Sequence, residues 1–306
     1  MKCKQYEAIG KMSDIEVYMD IDLKKHSTMK LDAKGDLIVI KSIKALKVLL
    51  KYLYKEELQY LVLGWGANQI FPPRSPLPYL KLSLPFDFTF FDNAHESYKL
   101  PANISLAKLT AHASRFGLKG WEAFTGIPAT LGGAIVMNAG TGLGEIGPLI
   151  KTVRLISSEG EERLIETNES SFIYRSNNFI RSGEVIVEAE MIHYGQDKSV
   201  AAKIKKYLEY RNSTQPMKAN TCGCMFKNSF IDTGVEKLTC RAGHSVDILG
   251  LKGFLHEGLR VNTIHGNFLE NLGGASSLNV QEALSYLQRE MQLHLGVSFE
   301  PEIKIP

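Results

Sequence analysis

The chain has 306 residues, 44% of them hydrophobic and 23% charged, with 36 basic against 33 acidic side chains and a formal net charge of +3. This length suits one large domain or two with a real core, and it excludes disorder, a collagen-like repeat and a disulfide-stapled miniprotein. Nearly balanced charges do not make a polyanion-binding surface, so nucleic acid is not an expected partner, whereas an anionic small molecule is compatible. Cys3, Cys222, Cys224 and Cys240 are too few and too unevenly spread for a disulfide framework, which points to a reducing compartment. The N-terminal stretch MKCKQYEAIGKMSDIEVYMD lacks a signal-peptide core, and no uncharged apolar run approaches the roughly 20 residues that span a bilayer. A cytoplasmic protein with no membrane partner is expected.

In chain order, the apolar, β-branched stretch from Lys30 to Lys41 around Lys34-Gly35-Asp36 predicts a hairpin. Ser42 then caps a helix whose Ile43, Leu46, Leu49, Leu50 and Leu53 share one face. Tyr60-Leu61-Val62-Leu63 reads as a buried strand that ends in the tight loop Gly64-Trp65-Gly66-Ala67-Asn68. Short strands are expected between residues 77 and 100. A helix follows from near Ser105, with Leu106, Leu109, Ala113 and Phe116 inward and Gly117 as its stop.

Residues 127–147 are glycine-rich, and strands are expected near 152–157, 163–166 and 185–194. A polar, Lys-rich helix over Ser199 to Asn212 starts after Tyr194-Gly195-Gln196-Asp197, which marks a domain boundary. The last third reads as a separate α+β unit, with a helix from about Val280 to Leu295 stopped by Gly296 and a closing strand from Val297 to Ile305. The expected division is 1–195, itself split near residue 56, and 196–306.

Two glycine clusters carry the first chemical signal. Glycines after a strand let backbone N–H groups come close to an anion, although a GxG alone is more often a tight turn between strand and loop. The second cluster, Gly126-Ile127-Pro128-Ala129-Thr130-Leu131-Gly132-Gly133-Ala134, adds a proline-fixed turn and an expected helix start, whose free N–H groups and positive dipole suit a diphosphate. Neither is GxGxxG or GxxxxGK[ST], so a Rossmann site or P-loop is not supported. Cys222-Gly223-Cys224 with Cys240 and His244 is poorly spaced for a metal, and none is expected.

Seven segments in order make the chain recognisable: LGWGANQIF, GIPATLGGAIVMNAG, FIYRSNNF, RNSTQP, GCMFKN, IHGNFLEN and LGVSFEPEI. From about residue 28 onward it resembles the UDP-N-acetylenolpyruvoylglucosamine reductase family, also called UDP-N-acetylmuramate dehydrogenases, in the subgroup without an extra substrate-covering loop. The resemblance implies an α+β fold, with two FAD-binding subdomains of p-cresol methylhydroxylase/vanillyl-alcohol oxidase type and a C-terminal substrate domain. It also implies FAD as cofactor and NADPH as reductant, with a monomer as the expected state. The implied reaction reduces UDP-N-acetylglucosamine enolpyruvate to UDP-N-acetylmuramate in peptidoglycan precursor synthesis.

Residue by residue, the resemblance assigns the flavin to Gly64, Gly66, Ala67, Asn68, Ile127, Pro128, Ala129, Thr130, Gly132, Gly133 and Asn138. Arg175 would hold the substrate carboxylate, since a guanidinium stays charged and binds two oxygens at once. Glu302 would face the enolate, protonated or paired with Arg175, because a free carboxylate would repel it. Cys224 stands where the family usually has a serine proton donor, and a thiol, with a reference pKa near 8.5, still carries its proton at pH 7. Tyr174, Arg211, Lys227 and Asn228 are the implied substrate contacts.

The sequence departs from the family at Ala67, Ala129 and Ser229, and it matches only loosely from Thr233 to Val261. Two other readings stay open: a flavin oxidase or dehydrogenase of the same superfamily acting on another sugar, and a flavin- or nucleotide-sugar-binding protein without turnover.

Overall fold

The computed structural model describes residues 3–232 and 234–305. Thr233, where the loosely matching stretch begins, lies outside the described residues. The chain forms two compact units, neither continuous in sequence. The first takes the residues up to Ile21, Asp36–Trp65 and Pro76–Glu209; the second takes Asp22–Gly35, Gly66–Ser75 and the chain from Tyr210 onward.

The first unit opens with α1 (Cys3–Gly10), β1 (Ile15–Asp22), β2 (Lys34–Ile40), α2 (Ile43–Lys55), β3 (Leu61–Val62) and β4 (Tyr79–Leu82). Its four-stranded sheet has the order β1-β2-β4-β3, and both β2 and β3 run parallel to β4, with Leu37 and Leu61 in register with Tyr79. Ser42 caps α2 as expected, its hydroxyl accepting from the Ala45 N–H at 3.1 Å. Ala45, Leu46, Leu49, Leu50 and Leu53 are buried against Ile38, Ile40 and Leu80, at roughly 1.5–3 kcal/mol for each fully buried leucine.

One expectation changes here. The stretch from residue 30 to 41 is not a hairpin: Lys34-Gly35-Asp36 lies within β2. A side chain at Gly35 would stand 2.8 Å from Leu23 Cδ1 and 3.0 Å from Ser75 Cβ, so this glycine permits close packing rather than a turn. Residue 56, where a split is expected, falls within one sheet, because β3 and β4 belong to the same sheet as β2.

A second sheet follows, built from β5 (Ser97–Pro101), β8 (Ile150–Ile156), β9 (Glu162–Glu166) and β12 (Val185–Ile192) in the antiparallel order β5-β12-β8-β9. Around it lie α3 (Leu106–Phe116), α4 (Leu131–Val136), the small ribbons β6 (Gly140–Thr141) with β7 (Gly144–Glu145) and β10 (Phe172–Ile173) with β11 (Ser176–Asn177), and α5 (Ser199–Thr214). Gly117 ends α3 in the left-handed conformation, φ 71°. Trp121, Phe124 and Tyr98 fill the core, the Trp121 indole donating to the Ile192 carbonyl at 2.8 Å. His112 lies in the same core, 3.0 Å from the Tyr98 hydroxyl. Burial pushes its imidazole down to about 4, so it is neutral near pH 7.

The second unit contains β13 (Ser229–Asp232) paired with β14 (Lys237–Cys240), then α6 (Ala242–Ile248), β15 (Leu255–His256), β16 (Leu259–Val261), β17 (Leu269–Asn271) and α7 (Ser277–Leu295). Its core joins Val280, Ala283, Leu284, Leu287 and Met291 of α7 to Met225, Phe226 and Phe299, and to Met29, Leu31 and Ile70 from far upstream. The expected closing strand is not a continuous one. Residues 297–305 pair only at isolated positions, Phe226 with Pro301 and Gln69 with Lys304.

The division therefore falls inside α5 rather than at Gly195, where Asp197 only starts the helix, accepting from the Ser199 N–H at 2.8 Å. Among the described residues no helix is long and apolar enough to cross a membrane.

Candidate functional site

The two glycine clusters, more than sixty residues apart in sequence, meet at Thr130. A Cβ on Gly64 would lie 2.9 Å from Thr130 Oγ1 and 3.9 Å from Gly133 Cα, and a Cβ on Gly133 would meet only Thr130 Oγ1, at 3.3 Å. Gly133 thus leaves bare backbone beside a half-buried threonine, against whose hydroxyl Gly64 packs closely. Gly132 and Gly66 serve packing instead: a side chain at Gly132 would stand 2.9 Å from Ala102 Cβ, and one at Gly66, φ 72°, would collide with the His26 carbonyl.

The expected helix start exists, but its first N–H groups are not open to an anion. Leu131 N–H donates to the Ile104 carbonyl at 2.7 Å, Gly132 N–H to Ala102 at 2.8 Å, and Gly133 N–H to Thr130 Oγ1 at 3.3 Å. What this surface offers is close approach to backbone and a threonine hydroxyl rather than a dipole end.

Ile127, Pro128 and Ala129 lead into it, with the Ala129 carbonyl held by the Leu106 N–H at 2.9 Å. Beside them Asn103 donates from Nδ2 to the Leu84 carbonyl at 3.0 Å, which orients its amide and leaves the buried Oδ1 with no hydrogen-bond partner. A flavin nucleotide, which needs close backbone contact and an acceptor for an N–H, fits these residues. The sequence reading missed Asn103.

Asn138 turns out to hold protein rather than an open surface. It is buried, with φ 41°, and its Nδ2 donates to Glu145 Oε2 at 2.7 Å and to the Ile173 carbonyl at 3.1 Å, while Oδ1 accepts from the Gly147 N–H at 3.0 Å. Ile173 ends β10, and Tyr174-Arg175 form the two-residue turn into β11. Arg175 sits in that turn with φ 56°, a region that side-chain-bearing residues enter at a cost of about 1 kcal/mol or more. Its guanidinium lies 5.3 Å from the centre of the Tyr174 ring. Asn177 Nδ2 secures the other arm of the ribbon to the Val136 carbonyl at 3.0 Å.

Cys224 and Glu302 are brought onto one ribbon of the second unit. The Glu302 N–H donates to the Met225 carbonyl at 2.8 Å, and the Lys227 N–H to the Glu300 carbonyl at 2.9 Å. Asn68 extends this ribbon, its Nδ2 donating to the Glu302 carbonyl at 3.0 Å while its own carbonyl accepts from the Lys304 N–H at 2.9 Å. Ala67, half-buried, precedes it. Cys222 is fully enclosed, 3.7 Å from the Met29 sulfur, and burial pushes its thiol up to about 12. Cys224 is half-exposed, so of this pair only Cys224 is accessible.

Cys224 opens onto a cavity of about 350 Å³ whose lining includes Asn228, Arg241, His244, Lys252, His265 and Asn267. Lys252 is paired with Asp247 at 2.9 Å. His265 accepts the Asn267 N–H at Nδ1, 3.2 Å, and burial beside Lys252 lowers its pKa, so it is neutral with its proton on Nε2. The cavity is thus rich in donors and net basic, suited to an anionic group.

Of the expected substrate contacts only Asn228 lines this cavity, its Oδ1 also accepting from the Ala242 N–H at 3.2 Å. Lys227 is bonded to Glu300 at 3.0 Å, and Arg211 Nε to Gln215 at 2.9 Å. The sequence reading missed Arg241, Lys252, His265 and Asn267 and took His244 only as a possible metal ligand. The segments GLKG and IHGNFLEN carried the available signal for three of these residues. Among the described residues no group of three or more His, Cys, Asp or Glu could hold a metal ion.

The chain is similar to known proteins along nearly its whole length. Residues 215–306 match the family model "UDP-N-acetylenolpyruvoylglucosamine reductase, C-terminal domain". A UDP-N-acetylenolpyruvoylglucosamine reductase of Halalkalibacterium halodurans is 28% identical over 95% of this chain and 94% of its own length, and one of Chlamydia pneumoniae is 29% identical over 92% and 90%. The crystal structure of the Thermus caldophilus reductase superposes with a TM-score of 0.75 at 28% identity, over 95% of this chain and 98% of that one.

Proposed function

The chain belongs to the UDP-N-acetylenolpyruvoylglucosamine reductase family, and from that premise we propose that Arg175, Cys224 and Glu302 carry the reaction. The protein is a FAD- and NADPH-dependent oxidoreductase of peptidoglycan precursor synthesis that reduces UDP-N-acetylglucosamine enolpyruvate to UDP-N-acetylmuramate. We assign the first unit to the flavin and the second to the nucleotide sugar. The cytoplasm is the proposed location, since Cys224 must stay a thiol, and the working form is taken as a monomer.

Gly64, Thr130 and Gly133, with Asn103, would hold the flavin. When bound and reduced by NADPH, FAD would supply the hydride for the terminal vinyl carbon. The π pair then resides on the adjacent carbon and its carboxylate, and Arg175 stabilises that negative charge with a fixed positive one. Glu302, if it carries a proton, would donate a hydrogen bond to the same group. Cys224 delivers the second hydrogen: its S–H bond breaks, the proton joins the carbon beside the carboxylate, and the thiolate regains a proton from water. Arg241, His244, Lys252 and Asn228 would bind the diphosphate of the nucleotide sugar.

The observation that carries this reading is that Cys224, the one accessible thiol of its pair, opens into a basic, donor-lined cavity on the ribbon it shares with Glu302. The purified protein is expected to absorb in the flavin bands and to oxidise NADPH when the enolpyruvyl nucleotide sugar is added. Colour without substrate-dependent NADPH oxidation refutes the reductase, and the absence of colour refutes any flavoenzyme.

A further inference from the structure

The segment that presents Cys224 is held in an unusual way. On one side the Glu302 N–H bonds the Met225 carbonyl and Phe226 pairs with Pro301. On the other side Cys224 pairs with Phe268 and the Met225 N–H donates to the Asn267 carbonyl at 2.8 Å. At the next residue the pairing passes to a side chain: the Phe226 N–H donates to Asn267 Oδ1 at 3.0 Å, and Asn267 Nδ2 donates to the Phe226 carbonyl at 2.8 Å. The carboxamide supplies the acceptor and donor that a further strand residue would have given. Asn267 is 4% exposed and Phe226 1%, so water does not compete for these bonds.

Upstream, Cys222 is anchored in the core beside Met29, two residues before Cys224. Gly223, φ 85°, precedes it, and a Cβ there would touch nothing within 4 Å. The same Asn267 also donates its N–H to His265 Nδ1, fixing the imidazole that lines the cavity.

Resting on the assignment of Cys224 as proton donor, we infer that Asn267 is a positioning residue for the protonation step: its side-chain amide sets the register of Cys224 against Glu302. Proton transfer to carbon falls steeply when donor and acceptor move apart by about 1 Å, so loss of this register lowers the chemical step more than binding. Asn267 touches neither cofactor nor reacting carbon in this role.

The decisive variant is Asn267→Leu, similar in size and unable to bond Phe226. In the intact, flavin-loaded enzyme, NADPH-driven bleaching is expected to stay within about twofold of the unaltered protein. Turnover of the enolpyruvyl substrate is expected to fall at least about tenfold, with KM within about threefold. Iodoacetamide labelling of Cys224, followed by mass spectrometry, is expected to change at least about threefold while that of Cys240 does not. Asn267→Asp keeps the acceptor for Phe226 N–H and is expected to recover part of the loss.

Unchanged kcat, unchanged Cys224 labelling, or equal losses in bleaching and turnover each overturn the inference. If Asn267→Leu does not fold, Asn267→Asp decides, and turnover indistinguishable from the unaltered enzyme overturns it. Cys224→Ala is measured alongside: full turnover there removes the premise, whereas an inactive Cys224→Ala beside a fully active Asn267→Leu removes the inference alone.

Discussion

Two of the three proposed catalytic groups, Arg175 and Cys224, rest on opposite kinds of support. Arg175 stands on a two-residue turn with a positive φ, attached to the body of the first unit by the side chains of Asn138 and Asn177. Cys224 stands in an extended segment paired along both edges, with Asn267 completing one of them. A long guanidinium tolerates a local, side-chain-propped mounting because its own length and two-oxygen grip absorb small errors. A short thiol that must deliver a proton to one carbon does not, and it is fixed through backbone ladders.

Breaking the thiol side is expected to give the largest effect. Cys224→Ala should lower product formation by about a thousandfold, within the range of general acid catalysis, while NADPH still bleaches the flavin; Cys224→Ser should restore turnover to within about tenfold. Retained turnover in the alanine variant would dissolve the contrast altogether. On the cation side, Arg175→Lys is expected to cost about a hundredfold in kcat, since an ammonium cannot hold both carboxylate oxygens. Asn138→Ala is expected to cost about 1–3 kcal/mol in stability by orphaning buried partners, with a smaller loss of kcat than Arg175→Lys. A larger loss than that would show the turn to be as exacting as the ribbon.

The glycines sharpen the same distinction between holding protein and holding ligand. Gly132→Ala is expected to lower the Tm, because its methyl meets Ala102 at 2.9 Å. Gly133→Ala is expected to leave the Tm nearly unchanged and weaken flavin retention after gel filtration. The smallest effect concerns acid. The His112 pKa is depressed to about 4, so the unfolded chain binds this proton more readily. Stability present above about pH 6.5 is then lost as pH falls toward 4, on the order of 2–3 kcal/mol. A His112→Phe variant that keeps the same acid dependence in urea melts would exclude His112 as its source.

Much of this was legible in the sequence where local chemistry decides structure. Ser42 and the leucine spacing after it gave α2, Gly117 and Gly296 gave two helix ends, and seven ordered segments carried the family resemblance. What stayed hidden depends on distant partners. Gly35 has the composition of a turn but lies in a strand, because Leu23 and Ser75 crowd it. Gly132 looks like a phosphate glycine but packs against Ala102. Asn138, read as a flavin contact, spends its amide on Glu145, Ile173 and Gly147. The cavity beside Cys224 draws its lining from three separated segments, so no single motif displays its charge.

The interleaving of the second unit has a consequence for how the molecule is made. Its core includes Met29, Leu31 and Ile70, and Asn271 Nδ2 donates to the carbonyls of Met29 and Lys30, at 3.0 Å each, across more than 240 residues of chain. Those early segments can complete this core only after the residues from 222 onward have been made. Contacts of such sequence separation are slow to close. The stretch 215–306, produced alone, would therefore lack part of its own interior.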